Sequence, residues 1–405
     1  MFLDVLMRRN PAFIEATMAL HQDHALPPNT YVLDLDTITE NAQLFTTEAR
    51  KYNLKTFAMT KQVGRHPGFC KAVMDGGIEK CVAVDLACAV ACARAGMKTG
   101  HLGHLVQIPM ASAEYAAQNL QPDYWTVFNK EKAQQAAQAA KKAGYQQNLL
   151  ARICHERDTF YRGHEGGFAA DEILRVADYL NNLDGGRFAG ISTFPALLYD
   201  SKHQRIAPTA NLKTLTKARD TLNKAGYQDI ELNAPGTTST ITLEALAQAG
   251  ATQCEPGNGL HGTTPLHAIQ DLPETPAVLY LSEVSHHHGG YAFCFGGGLY
   301  IDPVFPDYQV KALVSAKPTA SAKALLPVEI PPPSAIDYYG MIEQNPSAPV
   351  PVGASVIFGF RGQAFVTRAS VVGLAGIHQG KPQVIDLTNP FAQTNPEFSI
   401  PSSYC

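Results

Sequence analysis

Charge is scarce in this chain: 17% of its 405 residues are Asp, Glu, Lys or Arg, and they sum to a formal net charge of -4. No run of basic residues occurs, so neither nucleic acid nor an anionic membrane is an expected partner. Asp4, Arg8, Arg9 and Glu15 interrupt the first twenty residues, and no later apolar run is long enough to span a bilayer. No export signal or membrane anchor is therefore expected, and a cytoplasmic location is. The eight cysteines include no Cys-x-x-Cys and no tight framework, and Cys81 and Cys254 sit in apolar runs, as reduced core thiols do. No Gly-x-Gly-x-x-Gly opens any strand–helix unit, which disfavours a doubly wound dinucleotide fold.

What the chain does have is rhythm. Residues 1–24 read as an amphipathic helix interrupted near Pro11, and Tyr31 to Asp36 as a strand, after which Thr37 caps a helix running to about Lys51. Short strands are predicted at 56–60, 80–84, 104–108, 124–128, 148–153, 188–192, 229–233 and 252–255. Helices are predicted at about 67–75, 86–95, 111–119, 130–143, 170–182, 210–225 and 239–249, with Gly76, Gly96, Gly144, Gly226 and Gly250 at their ends. Alternation of this kind and length predicts a (β/α)8 TIM barrel over 1–272, N-terminal helix included. From about Pro273 the helices stop. Runs at 277–284, 291–301, 309–315, 354–360, 363–372 and 382–386, punctuated by Pro and Gly, predict a C-terminal all-β domain over 273–405.

In such a barrel the functional residues collect at the C-terminal ends of the strands. Those ends are Lys61, Asp85, Gln107, Asn129, Arg152, Thr193, Asn233 and Glu255. All carry polar groups where the strand interiors are apolar, which predicts an active-site mouth. Lys61 ends the apolar run Phe57 to Met59 and precedes Gly64, Arg65 and Pro67. Desolvation of a lysine favours the neutral amine, a nucleophile and Schiff-base former; a lysine snorkelling out of a strand end is the plainer reading. Asn233-Ala-Pro-Gly236-Thr237-Thr238-Ser239 leads into the helix near Ile241. It reads either as a phosphate seat of hydroxyls and backbone N–H groups or as a Ser/Thr helix cap. Glu255 ends the eighth strand, and Gly257 permits close backbone approach beside it. A nucleophilic lysine, a phosphate seat and a carboxylate in one mouth together suggest pyridoxal phosphate.

Met59-Thr60-Lys61-Gln62, Ala83-Val84-Asp85, Gly103 to Pro109, Leu232 to Pro235, Glu255-Pro256-Gly257 and Ser282 to His287 resemble the alanine-racemase-type (fold type III) pyridoxal phosphate enzymes, in particular their YhfX-like branch. The resemblance spans both predicted domains. It implies a homodimer in which the β domain of one subunit closes the barrel mouth of the other. It implies that Lys61 is the Schiff-base lysine and that Arg65 stands where alanine racemases have a phosphate-reaching tyrosine. Gly236, Thr237, Thr238 and Ser239 match the phosphate turn, and Gly257 and Asn258 the backbone donors beside it. The departures are as informative. Glu255 replaces the arginine that alanine racemases place on the pyridine nitrogen, as in the related basic-amino-acid decarboxylases. A protonated ring is the stronger electron sink. Thr193 stands at the family's ring-stacking histidine, and Glu165 near its strand-5 arginine, so alanine itself is not implied as substrate.

Racemisation needs a base on each face of Cα. Lys61 would serve one, and Tyr291 or Cys294 of the partner subunit the other, with Gly290-Tyr291-Ala292 echoing an alanine-racemase motif. The alternative is a lyase, dehydratase or aldolase acting on a D- or hydroxy-amino acid. Its metal would fall to His286 or His287 with Cys294, although the His-x-Cys spacing of the metal-binding relatives is absent. A cofactor carrier is the non-enzyme reading, and the second domain weighs against it. The expected function is a pyridoxal phosphate-dependent, racemase-like enzyme with an amino acid as its small-molecule substrate.

Overall fold

The computed structural model describes residues 1–394; Cys405 and the rest of 395–405 lie outside the described residues. The chain opens with α1 (Phe2–Arg9) and α2 (Pro11–Gln22), broken where Pro11 takes the first helical position and its missing N–H costs nothing. β1 (Thr30–Asp34), α3 (Leu35–Lys51) and α4 (Pro67–Asp75) come next among the longer elements outside the barrel. The chain forms two compact units: residues 43–60 with 77–257, and residues 1–42 with 61–76 and everything from 258 onward. Among the described residues no helix is long and apolar enough to cross a membrane.

The first unit is the barrel. β2 (Lys55–Thr56) and β3 (Ala58–Met59) are halves of one run broken at Phe57. β4 (Lys80–Ala83), β5 (Lys98–Leu102), β6 (Tyr124–Val127), β7 (Gln147–Cys154), β8 (Phe168–Ala169) and β9 (Gly186–Ser192) continue it. β10 (Leu197–Asp200) and β11 (Arg205–Pro208) make a separate hairpin, and β12 (Glu231–Asn233) and β13 (Gln253–Cys254) complete the unit. The parallel order runs β3-β4-β5-β6-β7-β9-β12-β13-β2, so the sheet closes on its own first stretch, as the rhythm predicts. Six helices lie between these strands after α4, the first five being α5 (Leu86–Arg94), α6 (Ala113–Asn119), α7 (Lys130–Lys142), α8 (Ile173–Asn181) and α9 (Ala210–Lys224). α10 (Leu243–Gln248) precedes the last strand. α7 shows the local logic: Ala133, Ala136, Ala137 and Ala140 line its buried face at three- and four-residue spacing.

One strand is displaced from its predicted place. The apolar run 104–108 is a loop, and the strand is the polar stretch Lys98-Thr-Gly-His-Leu102. Thr99 and His101 are buried in the barrel, so a strand with polar interior residues carries no hydrophobic signature. The Gln107 side chain pins the loop, donating to the Gly103 and Thr126 carbonyls and accepting from Phe128 N.

The N-terminal ends of the barrel strands hold a charged knot. Glu231 accepts from Lys55 Nζ, from Tyr124 Oη at 2.6 Å, from Thr252 Oγ1 at 2.5 Å and from Gln253 Nε2 at 3.1 Å. Burial alone would raise its pKa, but the bonds from Lys55, Thr252 and Tyr124 together hold it below the ordinary glutamate range. This end of a barrel serves stability. Glu231→Ala is expected to cost about 2–3 kcal/mol, less than the roughly 3–5 of a fully buried pair because half-exposed Lys55 can turn to water. A depressed folded-state pKa means the contribution is present above the unfolded value near 4.3 and is lost as pH falls through the folded one. Melting of wild type and variant should therefore differ at pH 7 and converge in acid; equal melting at pH 7 would remove the knot from the stability account.

The second unit holds an antiparallel barrel. β14 (Val278–His288), β15 (Tyr291–Phe295), β16 (Lys311–Ser315), β17 (Leu325–Glu329), β18 (Tyr339–Glu343) and β19 (Ser355–Phe358) form the ring β14-β15-β18-β17-β16-β19, closed because β19 pairs back with β14. β17 escapes a sequence reading because Pro327 interrupts its pattern. β1 extends β14 antiparallel and pairs in parallel with β20 (Ser370–Ala375), which β21 (Gln383–Thr388) edges. The boundary predicted at residue 273 is therefore corrected. Thr30–Asp34 is a strand of the β unit, and Phe13, Ile14 and Met18 of α2 share a core with Leu279, Leu281, Ile357 and Val372. The sequence pattern says that a strand forms, not which sheet takes it.

Candidate active site

Two of the polar strand ends are helix caps. Asp85 Oδ1 accepts from Cys88 N at 2.7 Å to start α5, and Asn129 Oδ1 accepts from Lys132 N at 2.8 Å to start α7. Among the strand-end residues of the barrel unit, Arg152, Thr193, Asn233 and Glu255 remain as interior groups, each no more than 4% exposed. They belong to β7, the residue after β9, β12 and the residue after β13.

Glu255 is the centre of this set. His101 Nδ1 donates to its Oε1 at 2.5 Å, and Asn233 Nδ2 donates to the same oxygen at 2.7 Å. His101 Nε2 meets Thr126 Oγ1 at 2.6 Å, and Asn233 Oδ1 accepts from Ser192 Oγ at 2.9 Å. His104 Nδ1 stands 3.7 Å from Oε2, an oxygen that is buried without a hydrogen-bond partner among the described residues. Burial of so deep a carboxylate favours its neutral form. The charges of His104 and His101, with the bonds from His101 and Asn233, more than reverse this and hold its pKa below the ordinary range. The acid is ionised, fixed through one oxygen, and offers the other. Neither histidine stands out in sequence: His101 hides in a polar strand, and His104 follows it in the loop.

His101, His104 and Glu255 also form the one group of three metal-ligating side chains among the described residues. Ligands on a tetrahedral ion about 2.0–2.2 Å away sit roughly 3.3 Å from one another. The 2.5 Å contact of His101 with Glu255 is a hydrogen bond instead, and His101 spends its second nitrogen on Thr126. The trio is a hydrogen-bonded acid.

The glycine turn after β12 packs tightly. A Cβ on Gly236 would fall 2.4 Å from the Leu197 carbonyl oxygen, so only glycine lets the turn pass. Thr237 N donates to that same oxygen at 3.0 Å, and Ser239 N donates to Thr242 Oγ1 at 3.2 Å. Thr238 and Ser239 are buried. Thr193 is fully buried, with its Oγ1 unpartnered among the described residues.

Lys61 follows Thr60, the last residue of this stretch of the barrel unit, and opens a 3-10 turn to Val63 in the β unit, half-buried, with Nζ 4.7 Å from the centroid of the Phe365 ring. Arg65 is buried with φ of 55° and donates to the Pro390 carbonyl at 3.1 Å. Asn258 Nδ2 donates to the Thr263 carbonyl at 3.3 Å, whereas Gly257 closes the barrel unit.

The β-domain candidates separate clearly. Gly289 and Gly290, at φ of 56° and 87°, form the tight hairpin turn that delivers half-buried Tyr291 as the first residue of β15. Cys294 points into the unit's core, and burial raises its thiol to about 12, which unsuits it as the second base. His286 is exposed and stacks on Phe293 at 4.7 Å, and His287 Nε2 donates to the Val350 carbonyl at 2.9 Å. Neither belongs to a group of three potential ligands among the described residues.

A parallel (β/α)8 barrel with a buried acid at its last strand, together with an antiparallel β barrel, defines the alanine racemase-like class of fold. Residues 33–265 match the family model "Alanine racemase, N-terminal domain", and residues 279–384 match "YhfX-like, C-terminal domain". The chain belongs to the alanine racemase N-terminal domain family, in its YhfX-like branch. It is 39% identical over 385 residues to the protein YhfX of Escherichia coli (strain K12), covering 95% of this chain and 97% of that one. Among solved structures it resembles D-threonine aldolase from Filomicrobium marinum at 16% identity, with TM-score 0.67 and 91% and 96% of the two chains covered. The cycloserine complex of alanine racemase from Clostridium difficile 630 has 15% identity and TM-score 0.63, over 90% and 99% of the chains. D-threo-3-hydroxyaspartate dehydratase from Delftia sp. HT23 has 16% identity and TM-score 0.63, over 89% and 97%. Identity this low speaks for the fold alone.

Proposed function

We propose that the protein is a pyridoxal phosphate-dependent enzyme acting at the α-carbon of an amino acid, in the manner of a racemase. The carrying observation is Glu255, a buried carboxylate kept ionised by His104, His101 and Asn233, whose Oε2 has His104 Nδ1 at 3.7 Å but no hydrogen-bond donor among the described residues. A protonated pyridine nitrogen is such a donor. The tight turn at Gly236 and the buried hydroxyls of Thr238 and Ser239 suit a phosphate group, although Thr237 and Ser239 already spend their backbone N–H groups within the turn. When bound, pyridoxal phosphate supplies an aldehyde that condenses with amines and a ring that withdraws electrons from the attached carbon.

The chain's own groups do the rest. Lys61 Nζ is the amine that would hold the cofactor's aldehyde and would move the proton on one face of Cα. Tyr291 Oη, from the second subunit of a homodimer, serves the opposite face; Cys294 is set aside because its thiol is buried and its pKa raised. Glu255 keeps the ring nitrogen protonated, with His101 and Asn233 as positioning residues, while Arg65, Thr193, Gly257 and Asn258 complete the cofactor's surroundings. The same strong electron sink also favours a second reading, a lyase on a D- or hydroxy-amino acid.

A panel of D- and L-amino acids in deuterated buffer separates the two. Racemisation predicts solvent deuterium at Cα together with inversion, read by mass spectrometry and chiral chromatography; release of an oxoacid or aldehyde would assign the lyase reading instead. A protein that leaves every member of the panel unlabelled and intact would overturn both.

A further inference from the structure

Arg152 lies in β7, the longest barrel strand, two residues before its C-terminal end, and is 1% exposed. Burial lowers its pKa to about 10, so it is still a cation at neutral pH. A charge buried this deeply normally has a carboxylate partner, because removal from water is otherwise uncompensated. Among the described residues no carboxylate comes within ion-pairing distance of this guanidinium. What it has is three carbonyls: Nη1 donates to His104 O at 3.4 Å, and Nη2 donates to His164 O at 2.8 Å and Phe194 O at 3.3 Å. The Phe128 and Phe160 rings lie 4.8 and 5.9 Å from Cζ. Nε is buried with no hydrogen-bond partner among the described residues.

A staple that merely ties mouth loops together would explain the carbonyls. It does not explain a full charge left uncompensated or a buried N–H left unfilled. Gly167, at φ of 132°, brings the loop back so closely that a Cβ there would lie 2.6 Å from the Arg152 carbonyl oxygen. The aromatic rings of Tyr161, His164 and Phe194 pack on one another in the same mouth, at centroid separations of 5.5–6.1 Å. Tyr161 and His164 are exposed and Phe194 is half-buried, so this cluster is open to solvent, whereas the guanidinium itself is buried and flanked by the Phe128 and Phe160 rings.

We propose that Arg152 receives a carboxylate of the substrate; this deepens the amino-acid reading above and rests on it. A guanidinium matches the two oxygens of a planar carboxylate through paired N–H donors, which a lysine cannot do. The position, at the C-terminal end of a barrel strand, is where such enzymes bind substrate.

The test uses the purified holoenzyme. A panel of amino acids, and of the amines that differ from them only by loss of the α-carboxylate, is titrated while the visible cofactor band is followed. Wild type should prefer amino acid over amine, and Arg152→Gln should weaken amino-acid binding about tenfold to a hundredfold while leaving the amine unchanged. Arg152→Lys, which keeps the charge but loses the fork, should also lose most of the preference and serves if the glutamine variant does not fold. The change in ratio between wild type and variant cancels the different basicities of the ligands. No preference in wild type, or a preference that survives both substitutions, overturns the proposal. Loss of bound vitamin B6 from the variants with the preference intact would instead assign the arginine to the cofactor's phosphate. A wild-type protein with no visible band at all sinks the cofactor reading itself, so the two failures are distinguishable.

Discussion

Lys61→Ala is expected to purify without the visible absorbance of a lysine-bound vitamin B6 aldehyde and to lose activity by on the order of 10³-fold or more. Of the proposed site residues, only Lys61 carries an amine that can form the covalent link. It stands two residues past the buried strand Ala58–Met59, where the chain enters a 3-10 turn. Lys61→Arg is the informative companion. It keeps a cation near the Phe365 ring but has no amine to condense, so it should lose the band as completely as the alanine variant. Retention of the band in either variant would move the cofactor to another lysine and remove Lys61 from the reading.

The second large effect falls on Glu255. Glu255→Ala leaves the donors of His101 and Asn233 facing a cavity, at a cost of about 3–5 kcal/mol, the scale of breaking a buried charged pair. Glu255→Gln nearly preserves shape and should fold, yet it removes the negative charge proposed to face the ring nitrogen; a loss on the order of 10²–10³ in activity is expected, with a shifted visible band. Because the folded-state pKa of Glu255 is depressed, its stabilisation is present above the unfolded value near 4.3 and disappears only as pH falls through the folded one. The wild-type band should accordingly hold its position from neutrality down to about pH 5. A glutamine variant with wild-type spectrum and activity would show that the carboxylate does not face the cofactor.

How much of this was legible in the sequence differs element by element. The barrel's helices were, because alanines at helical spacing and glycines at helix ends are local signals, as α7 and Gly144 show. Asn233 and Glu255 were legible as polar groups ending apolar strands. β5 was not: its interior residues are Thr99 and His101, and a strand that turns polar groups inward looks like a loop. The logic that singles out Glu255 also singles out Asp85 and Asn129 as mouth residues, since a helix cap and a buried interior carboxylate both follow a strand end.

The sequence by itself determined which segments become strand or helix and which side chains stand at strand ends, since both follow from periodicity and short-range capping. The tertiary structure alone decided that Thr30–Asp34 joins the β unit, that His101 grips Glu255, and that Arg152 meets three carbonyls and, among the described residues, no acid. Pairing partners and charge neighbourhoods are made by residues far apart in the chain, 154 positions in the case of His101 and Glu255, and no local pattern encodes them.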